Sequence, residues 1–563
     1  MTLRCLFAAG AVAVSLVISA GAARAADAAA ALIQSARPPV PSAPSLDARA
    51  RTAPVVQGPA EASAAPGAGG GPTFLLKQVV FDGDPLLSAQ EVGALTAPFL
   101  GRRVTFGDLN ALTRSVERAV RGHGRLLATA TLPAQKVVHG IVHLRVEEGR
   151  LGRVKVEGNR HYTERFVQRF FHPYDSHGHI SLDAVTRSLL IENEFPDLAV
   201  QSVFTRGEQP GTSDITLKVK DAAPLHVDLE YNNFGNRLIG RNRAAIGVSA
   251  GSALTPGDLV QARFTEPFPS LSDPFYQFGY DLPAGDRGNR LGVSFLRAKT
   301  AVDPTSGIGI VPGTNGFANI YALNYTKVLE RTLERSSQLT TSFVAKDVQN
   351  FLLGTVRIGD DQTRTLQGTY SLSEAEKNGR WIVTGTLATG LGTALGGISN
   401  DDPRHGRAGA GDQFVKANVD ALRLWTVGKD DSVLLHLGGQ LASDPQVTAE
   451  QFAIGGPDSV RGYIQAEELG DDGFLTSLEY RHTLLNTTKS NVQALVFVDH
   501  GHVRNENPTA ADGPRDLTGA GVGARATVDR DTTLRADLGV PIDPNPDSLN
   551  YHAMLYAQVA HRF

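Results

Sequence analysis

The sequence predicts a mainly β protein, in which a closed antiparallel barrel of sixteen membrane-crossing strands follows two small modules of the order βααββ. Segments of alternating apolar and polar residues recur throughout the C-terminal part of the 563-residue chain. Beyond the N-terminus, no apolar run approaches the ~18 residues that a membrane-spanning helix needs. A pattern of helices and strands about seventy residues long also occurs twice before the barrel, which indicates an internal repeat.

Three segments precede the repeated modules. Residues 1–25 are typical of a secretory signal peptide, with a basic residue, an apolar core and a small-x-small cleavage site in that order. Residues 26–37 predict a short helix, and residues 38–72 are rich in Pro, Ala and Gly and predict a flexible linker. Cys5 is the only cysteine and would leave with the signal peptide, so the mature chain is expected to contain no disulfide.

The two modules are predicted at residues 73–148 and 149–222. In the first, Ser88 and Thr105 each precede an acidic residue by three positions, which is the capping-box pattern of a helix start. The second of these helices has one apolar face, formed by Leu109, Leu112, Val116 and Val120. Two strand patterns close each module, which completes the order βααββ.

Residues 223–563 contain the predicted barrel strands. These are 226–231, 244–250, 258–265, 276–282, 290–299, 318–328, 337–348, 364–372, 381–389, 414–425, 432–442, 473–482, 492–503, 517–528, 532–540 and 555–563. An even number of alternating segments permits a closed barrel, which is required in lipid because every backbone N–H and C=O must be paired within the sheet.

The composition argues against several classes of function. With 54 Lys+Arg against 58 Asp+Glu, the chain has no basic excess that would favour nucleic acid. No nucleophile motif, metal-ligand spacing or phosphate-binding loop is present, so we expect no enzyme activity, cofactor or metal. His172, His177 and His179 lie close in sequence, but a solvated loop explains them and no carboxylate or cysteine completes a site.

The most informative stretch is Phe452 to Tyr463, between two strand patterns. Its glycines and proline predict a loop, and Arg461 stands beside a glycine near the loop's end. By itself this would be an ordinary surface arginine. A later strand pattern, however, carries Asp499, and an arginine fork and a carboxylate form a strong pair that each would need inside a low-dielectric enclosure.

These residues resemble the paired motifs of the Omp85 superfamily, and specifically of its two-partner secretion transporters, the TpsB family. The functional loop motif comprises Val460, Arg461, Gly462 and Tyr463, and the barrel-wall partner motif comprises Phe497, Asp499 and Gly501. The resemblance implies that the loop folds back into the barrel and that Arg461 contacts Asp499. Both βααββ modules resemble the periplasmic POTRA domains of that superfamily. Phe563 resembles its C-terminal assembly signal, although His561 departs from the apolar pattern.

The resemblance implies a pore in the outer membrane of a Gram-negative bacterium, with POTRA domains in the periplasm. The pore would export one large β-helical exoprotein of the TpsA type, an adhesin or haemolysin, which the POTRA domains would capture unfolded. The helix at 26–37 would plug the resting pore. Outer-membrane lipids and the outer-membrane assembly machinery would be further partners, and nucleic acid would not.

Two alternatives remain at this point. The first is an assembly factor or insertase of the same superfamily, which the number of modules and the Pro-rich linker disfavour. The second is a passive porin, for which the periplasmic modules would have no purpose.

Overall fold

A computed structural model describes residues 56–57, 72–125, 127–209, 212–235, 240–270, 272–301, 314–507, 515–543 and 552–563. The predicted signal peptide at 1–25, the predicted helix at 26–37 and almost all of the linker at 38–72 lie outside these residues. Within the linker, β1 (Val56–Gln57) pairs in parallel with a strand of the second module. None of the described helices is long and apolar enough to cross a membrane.

The first module contains a three-stranded sheet and two helices. Its elements are β2 (Phe74–Leu75), β3 (Gln78–Phe81), α1 (Ala89–Thr96), β4 (Arg103–Val104), α2 (Phe106–Gly122), β5 (Thr129–Thr131) and β6 (Ile141–Glu147). The sheet order is β3-β6-β5, and β2 pairs separately with β4. Ser88 and Thr105 form the capping boxes that the sequence predicts, and the apolar face of α2 packs on the sheet through Leu112, Val116 and Val120.

The second module repeats this order with a larger aromatic core. Its elements are β7 (Arg150–Glu157), α3 (Glu164–Phe170), α4 (Leu182–Glu192), β8 (Leu198–Arg206) and β9 (Thr212–Asp221), with β1 at the β8 edge of the sheet. The rings of Phe166, Phe170 and Phe195 lie 4.7 to 5.0 Å apart, beneath the sheet residues Ile215 and Leu217.

The core of the second module includes one buried carboxyl group that has no hydrogen-bond partner. Both side-chain oxygens of Glu192, at the end of α4, lack a partner, and burial raises the pKa of this group well above its ordinary value. Because the pKa in the folded state exceeds that in the unfolded state, folding favours the protonated form. The contribution of this group to the free energy of unfolding is fully present below the pKa that the group has in the unfolded state. It is lost as pH rises toward the pKa of the folded state, at up to about 1.4 kcal/mol per pH unit.

We therefore expect Glu192→Gln to make the second module more resistant to protease at pH 8 than the wild type, with little difference at pH 5. Urea-dependent proteolysis of the full-length protein, scored by cleavage between residues 150 and 221, measures this. Glu157→Gln, an exposed residue of the same module, is the matched control. Equal pH dependence in the wild type and Glu192→Gln would contradict the expectation.

The barrel is a closed ring of sixteen antiparallel strands, which confirms the predicted fold class and strand number. Its strands are β10 (Leu225–Asn232), β11 (Asn242–Gly251), β12 (Leu259–Phe268), β13 (Phe275–Pro283), β14 (Arg290–Ala301), β15 (Asn315–Arg331), β16 (Arg335–Leu352), β17 (Val356–Glu376), β18 (Gly379–Gly390), β19 (Val415–Val427), β20 (Asp431–Ala442), β23 (Asp472–Asn486), β24 (Asn491–Arg504), β25 (Arg515–Val528), β26 (Thr532–Pro541) and β27 (Met554–Arg562). Each predicted strand overlaps one observed strand. The main difference is length, since β15, β16 and β17 have 17, 18 and 21 residues.

Successive side chains of each strand face opposite sides of the barrel wall. On β24, Val496 and Val498 are 52% and 45% exposed on the outer face, whereas Asp499 is completely buried on the inner face. Apolar residues outside and charged residues inside are the arrangement that a barrel in lipid requires.

The ring closes through a short seam. β10 and β27 are joined over five register positions, from Asp228↔Arg562 to Asn232↔Gln558, whereas β16 and β17 share eighteen. Beyond these positions, the backbone N–H of Phe563 donates to the carbonyl of Val227 over 2.9 Å, and that of Val227 donates to Phe563 over 3.4 Å.

The second module contacts one end of the barrel through several hairpin turns. Arg169 donates to the carbonyl of Gly285 over 2.9 Å, and Arg331 Nε lies 2.8 Å from Glu194 Oε1. A Cβ atom on Gly257 would lie 2.5 Å from the ring of Phe166, so this turn fits closely against the module. The other end of the barrel carries the connection between β18 and β19 and the one between β20 and β23.

Candidate functional site

Residues 443–471, here called the lumen loop, connect β20 to β23 and lie inside the barrel. The loop contains one turn of 3₁₀ helix (Thr448–Glu450) and two short antiparallel strands, β21 (Phe452–Ile454) and β22 (Glu468–Gly470). Val460 and Tyr463 are completely buried, in one apolar cluster with the inner-wall residues Leu475, Val503 and Leu517. The loop is therefore a packed part of the barrel interior.

Three glycines set the path of this loop. Gly455, Gly456 and Gly462 have φ angles of 100°, 103° and 109°, which residues with a Cβ atom rarely adopt. A Cβ atom on Gly462 would also lie 2.8 Å from the backbone nitrogen of Pro541 on β26. Because Gly462 has no side chain, the backbone beside Arg461 can lie directly against the barrel wall. The Arg461 side chain then extends along that wall.

The guanidinium group of Arg461 forms two hydrogen bonds with the carboxylate of Asp499. Nε lies 2.7 Å from Oδ2 and Nη2 lies 2.7 Å from Oδ1, and the backbone N–H of Arg461 donates to Oδ2 over 3.1 Å. The arginine is 2% exposed and the aspartate 0%. A bidentate pair that is removed from water in this way is a strong interaction, and replacing only one of its two partners is strongly destabilising.

The other two residues of the wall motif also face the loop. The guanidinium carbon of Arg461 lies 3.4 Å from the ring centroid of Phe497, so the cation stacks on the aromatic face. A Cβ atom on Gly501 would lie 2.9 Å from Ile454 of the loop. The structure thus brings all three wall-motif residues into contact with the loop.

Arg461 belongs to a larger set of charged groups, here called the lumen charge cluster. Arg461 Nη1 lies 2.6 Å from Glu479 Oε1 on β23 and 3.8 Å from Asp537 Oδ1 on β26. Further pairs join Arg481 to Glu479, Arg525 and Arg535 to Asp537, and Arg535 to Asp458 of the loop. The cluster therefore contains four arginines and four carboxylates, and its formal charges cancel.

Sequence reasoning missed the members of this cluster other than Arg461 and Asp499. Their signal was present, because charged residues such as Glu479 and Arg481 alternate with the outward-facing Leu478 and Tyr480. Alternation assigns them to the inner face, but only the strand register shows which of them meet.

Glycines of β25 and β26 form a flat surface under the loop backbone, which sequence reasoning also missed. A Cβ atom on Gly519 would lie 1.8 Å from the carbonyl oxygen of Arg461, and one on Gly539 would lie 2.5 Å from the backbone nitrogen of Gly462. The wall thus leaves no room for side chains where the Arg461 backbone lies against it.

Two tyrosines fix the loop on the far side of Arg461. The hydroxyl of Tyr556 on β27 accepts the backbone N–H of Gly462 over 3.0 Å and donates to the carbonyl of Tyr463 over 2.5 Å. The hydroxyl of Tyr463 lies 2.9 Å from the carbonyl oxygen of Thr518 and 2.6 Å from that of Asp543. All four residues of the loop motif are therefore in contact with the barrel wall or its connections.

The remaining predicted residues lie elsewhere. Phe563 is at the seam, with its ring 4.3 Å from that of His561, and its role as an assembly signal stays a prediction. His172 and His179 each lie near a different carboxylate, Asp286 and Glu148. Within the part of the chain that the structure describes, no three His, Cys, Asp or Glu residues are arranged to hold a metal ion.

Comparisons with known proteins match both parts of the chain. The family described as haemolysin secretion/activation protein ShlB/FhaC/HecB matches residues 211–526, which is more than half of the chain. The family described as POTRA domain, ShlB-type, matches residues 74–149.

Individual relatives are similar over most of the chain. The heme/hemopexin transporter protein HuxB of Haemophilus influenzae (strain 86-028NP) is 20% identical over 487 residues, which are 82% of each chain. The outer membrane transporter CdiB of Dickeya dadantii (strain 3937) is 24% identical over 501 residues, 85% of each chain. The solved structure of CdiB from Escherichia coli has a TM-score of 0.66 at 20% identity and covers 89% of this chain and 92% of its own. This last likeness establishes the fold.

Proposed function

The chain belongs to the family of haemolysin secretion/activation proteins described as ShlB/FhaC/HecB, and we propose that it exports one large β-helical exoprotein, an adhesin or a haemolysin. It is an outer-membrane transporter of two-partner secretion with POTRA domains in the periplasm, a member of the TpsB type and the Omp85 superfamily. Transporters of this type work with a secreted TpsA-type exoprotein. The proposal concerns what is exported and how the chain handles it.

The observation that carries the proposal is the lumen loop, fastened to Asp499 through Arg461. A passive porin has no need of a buried bidentate pair that holds a loop of almost thirty residues inside its channel. In the proposed mechanism the loop motif and the wall motif set the loop's position in the export path. The exported chain passes beside it, unfolded, and needs no nucleotide or cofactor.

The POTRA domains would capture the unfolded exoprotein through their sheet edges. Strand addition gives main-chain affinity with little demand on sequence, which suits a long and varied substrate. The pairing of β1 with the outer edge of β8 is an example of an extended segment docked in this manner. Outer-membrane lipids would contact the apolar outer face, and the assembly machinery would recognise the region of Phe563.

The test is co-expression of this chain with a large secreted β-helical protein of the TpsA type from the same genome. We expect the exoprotein in the medium only when the transporter is present. Deleting residues 74–221 should abolish its release while the barrel still assembles, as judged by faster migration on unheated gels. Arrest of the exoprotein in the periplasm with the full-length transporter present would refute the proposal.

The same strains separate the two alternatives. Depletion of an insertase would lower the amounts of unrelated outer-membrane proteins, whereas depletion of a dedicated transporter leaves them unchanged. A porin would lose solute permeability and leave exoprotein release intact. We expect neither result.

A further inference from the structure

A second buried ion pair fastens the lumen loop at a point that the loop motif does not include. Glu450, in the 3₁₀ turn eleven residues before Arg461, is 1% exposed. Its Oε1 lies 2.7 Å from Lys346 Nζ, and its Oε2 lies 2.5 Å from Lys416 Nζ. Lys416 Nζ also donates to the backbone carbonyl of Glu450 over 3.0 Å. One carboxylate thus pairs with two lysines inside the barrel.

These lysines project from a different part of the wall than the partners of Arg461. Lys346 lies on β16, the seventh strand of the ring, and Lys416 lies on β19, the tenth. Arg461 reaches Asp499 on the thirteenth strand and Asp537 on the fifteenth. In a ring of sixteen, the seventh and fifteenth strands are diametrically opposed. The loop is therefore attached to two separate parts of the wall, the seventh and tenth strands at Glu450 and the thirteenth and fifteenth at Arg461.

The attachment at Glu450 includes the wall strand from which the loop departs. Gln440 Nε2 on β20 donates to the carbonyl of Glu450 over 3.0 Å and to the carbonyl of Asp471, at the loop's other end, over 2.9 Å. Asp471 in turn accepts the backbone N–H of Gln446 over 2.9 Å and pairs with Arg407. Both legs of the loop are thus joined close to Glu450.

We propose that Glu450, with Lys346 and Lys416, is a second anchor of the lumen loop, and that it keeps the extracellular mouth closed in the resting state. The proposal rests on the proposed function only in treating the lumen as the export path. The two anchors have separate roles. Arg461 holds the tip of the loop to the wall formed by β23 to β26, and Glu450 holds the outer leg across the mouth.

Charge makes the second anchor sensitive to a single change. Glutamine at position 450 keeps the shape of the side chain but removes the carboxylate that faces both ammonium groups. Loss of one partner of such a pair is unfavourable, and the two lysines then repel each other. The outer leg keeps the hydrogen bonds to the backbone carbonyl of residue 450 but loses its charged attachment. Glu450 is thus a positioning residue, and restoring an opposite charge should restore the closed mouth.

The experiment measures access to the anchor from outside the cell. Ala449 is buried beside Glu450, and Cys5 is the only cysteine of the chain, so Ala449→Cys in a Cys5→Ser background gives a single reporter thiol. Intact cells are treated with a membrane-impermeant maleimide. We expect slow labelling with Glu450 intact and at least a tenfold faster rate with Glu450→Gln. The exchange of charges in Glu450→Lys with Lys416→Glu should return the rate toward that of the parent.

Glu376→Gln is the matched control, since Glu376 pairs with the buried Arg423 over 2.7 Å at the periplasmic end of the same wall. Equal labelling in Glu450→Gln and Glu376→Gln would overturn the proposal, as would failure of the charge exchange to slow labelling. If Glu450→Gln does not give the fast-migrating unheated form, Lys346→Met replaces it, because it removes one of the two pairs without stranding a charge. That variant should label faster than the parent, and an unchanged rate would count against the anchor. Labelling needs no exoprotein, so its outcome is independent of the export test.

Discussion

Replacing Arg461 or Asp499 by alanine is expected to abolish exoprotein release while the barrel still assembles. Each change leaves the partner charge buried, and breaking a buried pair from one side costs about 3–5 kcal/mol. Asp499 would lose the two guanidinium contacts of 2.7 Å, and Arg461 would lose its bidentate partner. Loss of the loop's position follows, because Asp499 accepts from both the backbone N–H and Nε of Arg461, whereas Glu479 accepts from Nη1.

Lysine at position 461 should not restore release. It keeps the charge, but a single ammonium group cannot bridge both oxygens of Asp499 and the carboxylate of Glu479, and it lacks the planar face that stacks on Phe497. The readouts are exoprotein in the medium and protease sensitivity of the lumen loop in assembled protein.

Arg504→Ala is the matched control on the same strand as Asp499. Arg504 pairs with Asp472 over 2.7 Å, and its own side chain is 58% exposed whereas that of Asp472 is 6% exposed. When Arg504 is removed, Asp472 still accepts the backbone N–H of Ala442 over 2.8 Å. Its removal should leave release close to the wild-type level. In a double-mutant cycle, Arg461→Ala with Asp499→Ala should be little worse than either single change. Additive effects would show that Arg461 acts through another group of the lumen charge cluster.

Adding one methyl group under the loop is expected to have an effect of similar size. In Gly519→Ala the new Cβ atom would lie 1.8 Å from the carbonyl oxygen of Arg461, and in Gly539→Ala it would lie 2.5 Å from the nitrogen of Gly462. Both contacts are with backbone, which cannot rotate away, so the loop must lift from the wall. Overpacking of this kind costs about 1–3 kcal/mol, and we expect release to fall at least tenfold and loop cleavage by protease to increase.

Gly385→Ala provides the comparison for this prediction. Gly385 is a strand residue of the same barrel, and a Cβ atom there would meet nothing within 4 Å. Release and protease resistance should therefore stay at the wild-type level. If Gly519→Ala behaves like Gly385→Ala, the loop does not need its close contact with β25 for export.

The sequence predicted the barrel well because strand alternation is a local property. All sixteen strands were located, since each carries its own apolar face. The extra length of β17, which runs for 21 residues, was not predicted, because alternation continues beyond the lipid-facing band with polar residues on both faces. Local pattern therefore identifies a strand more securely than it identifies where a strand ends.

The candidate site was predictable only in part, and for a different reason. Arg461 and Asp499 stand in recognisable motifs, whereas Glu450, Glu479 and Asp537 do not. Which residues these side chains contact depends on which strands are neighbours and on the register between those strands. Examples of that register are Ser477↔Asp499 and Asp499↔Gly519. A glycine such as Gly519 is even harder to recognise from sequence. It matters because the backbone of Arg461, fifty-eight residues earlier in the chain, passes so close to it that no side chain would fit.

The short seam between β10 and β27 also bears on how the ring can form in a membrane. β10 and β27 are the first and last strands of the ring along the chain, so pairing of successive hairpins alone leaves one open edge on each of them. An unpaired row of N–H and C=O groups cannot face hydrocarbon, because each group costs several kcal/mol there. The nascent ring must therefore be shielded, or kept out of the bilayer, until its two ends meet. Phe563 exchanges two hydrogen bonds with Val227 beside this junction, so its removal should delay the final closure and leave the earlier hairpins unaffected.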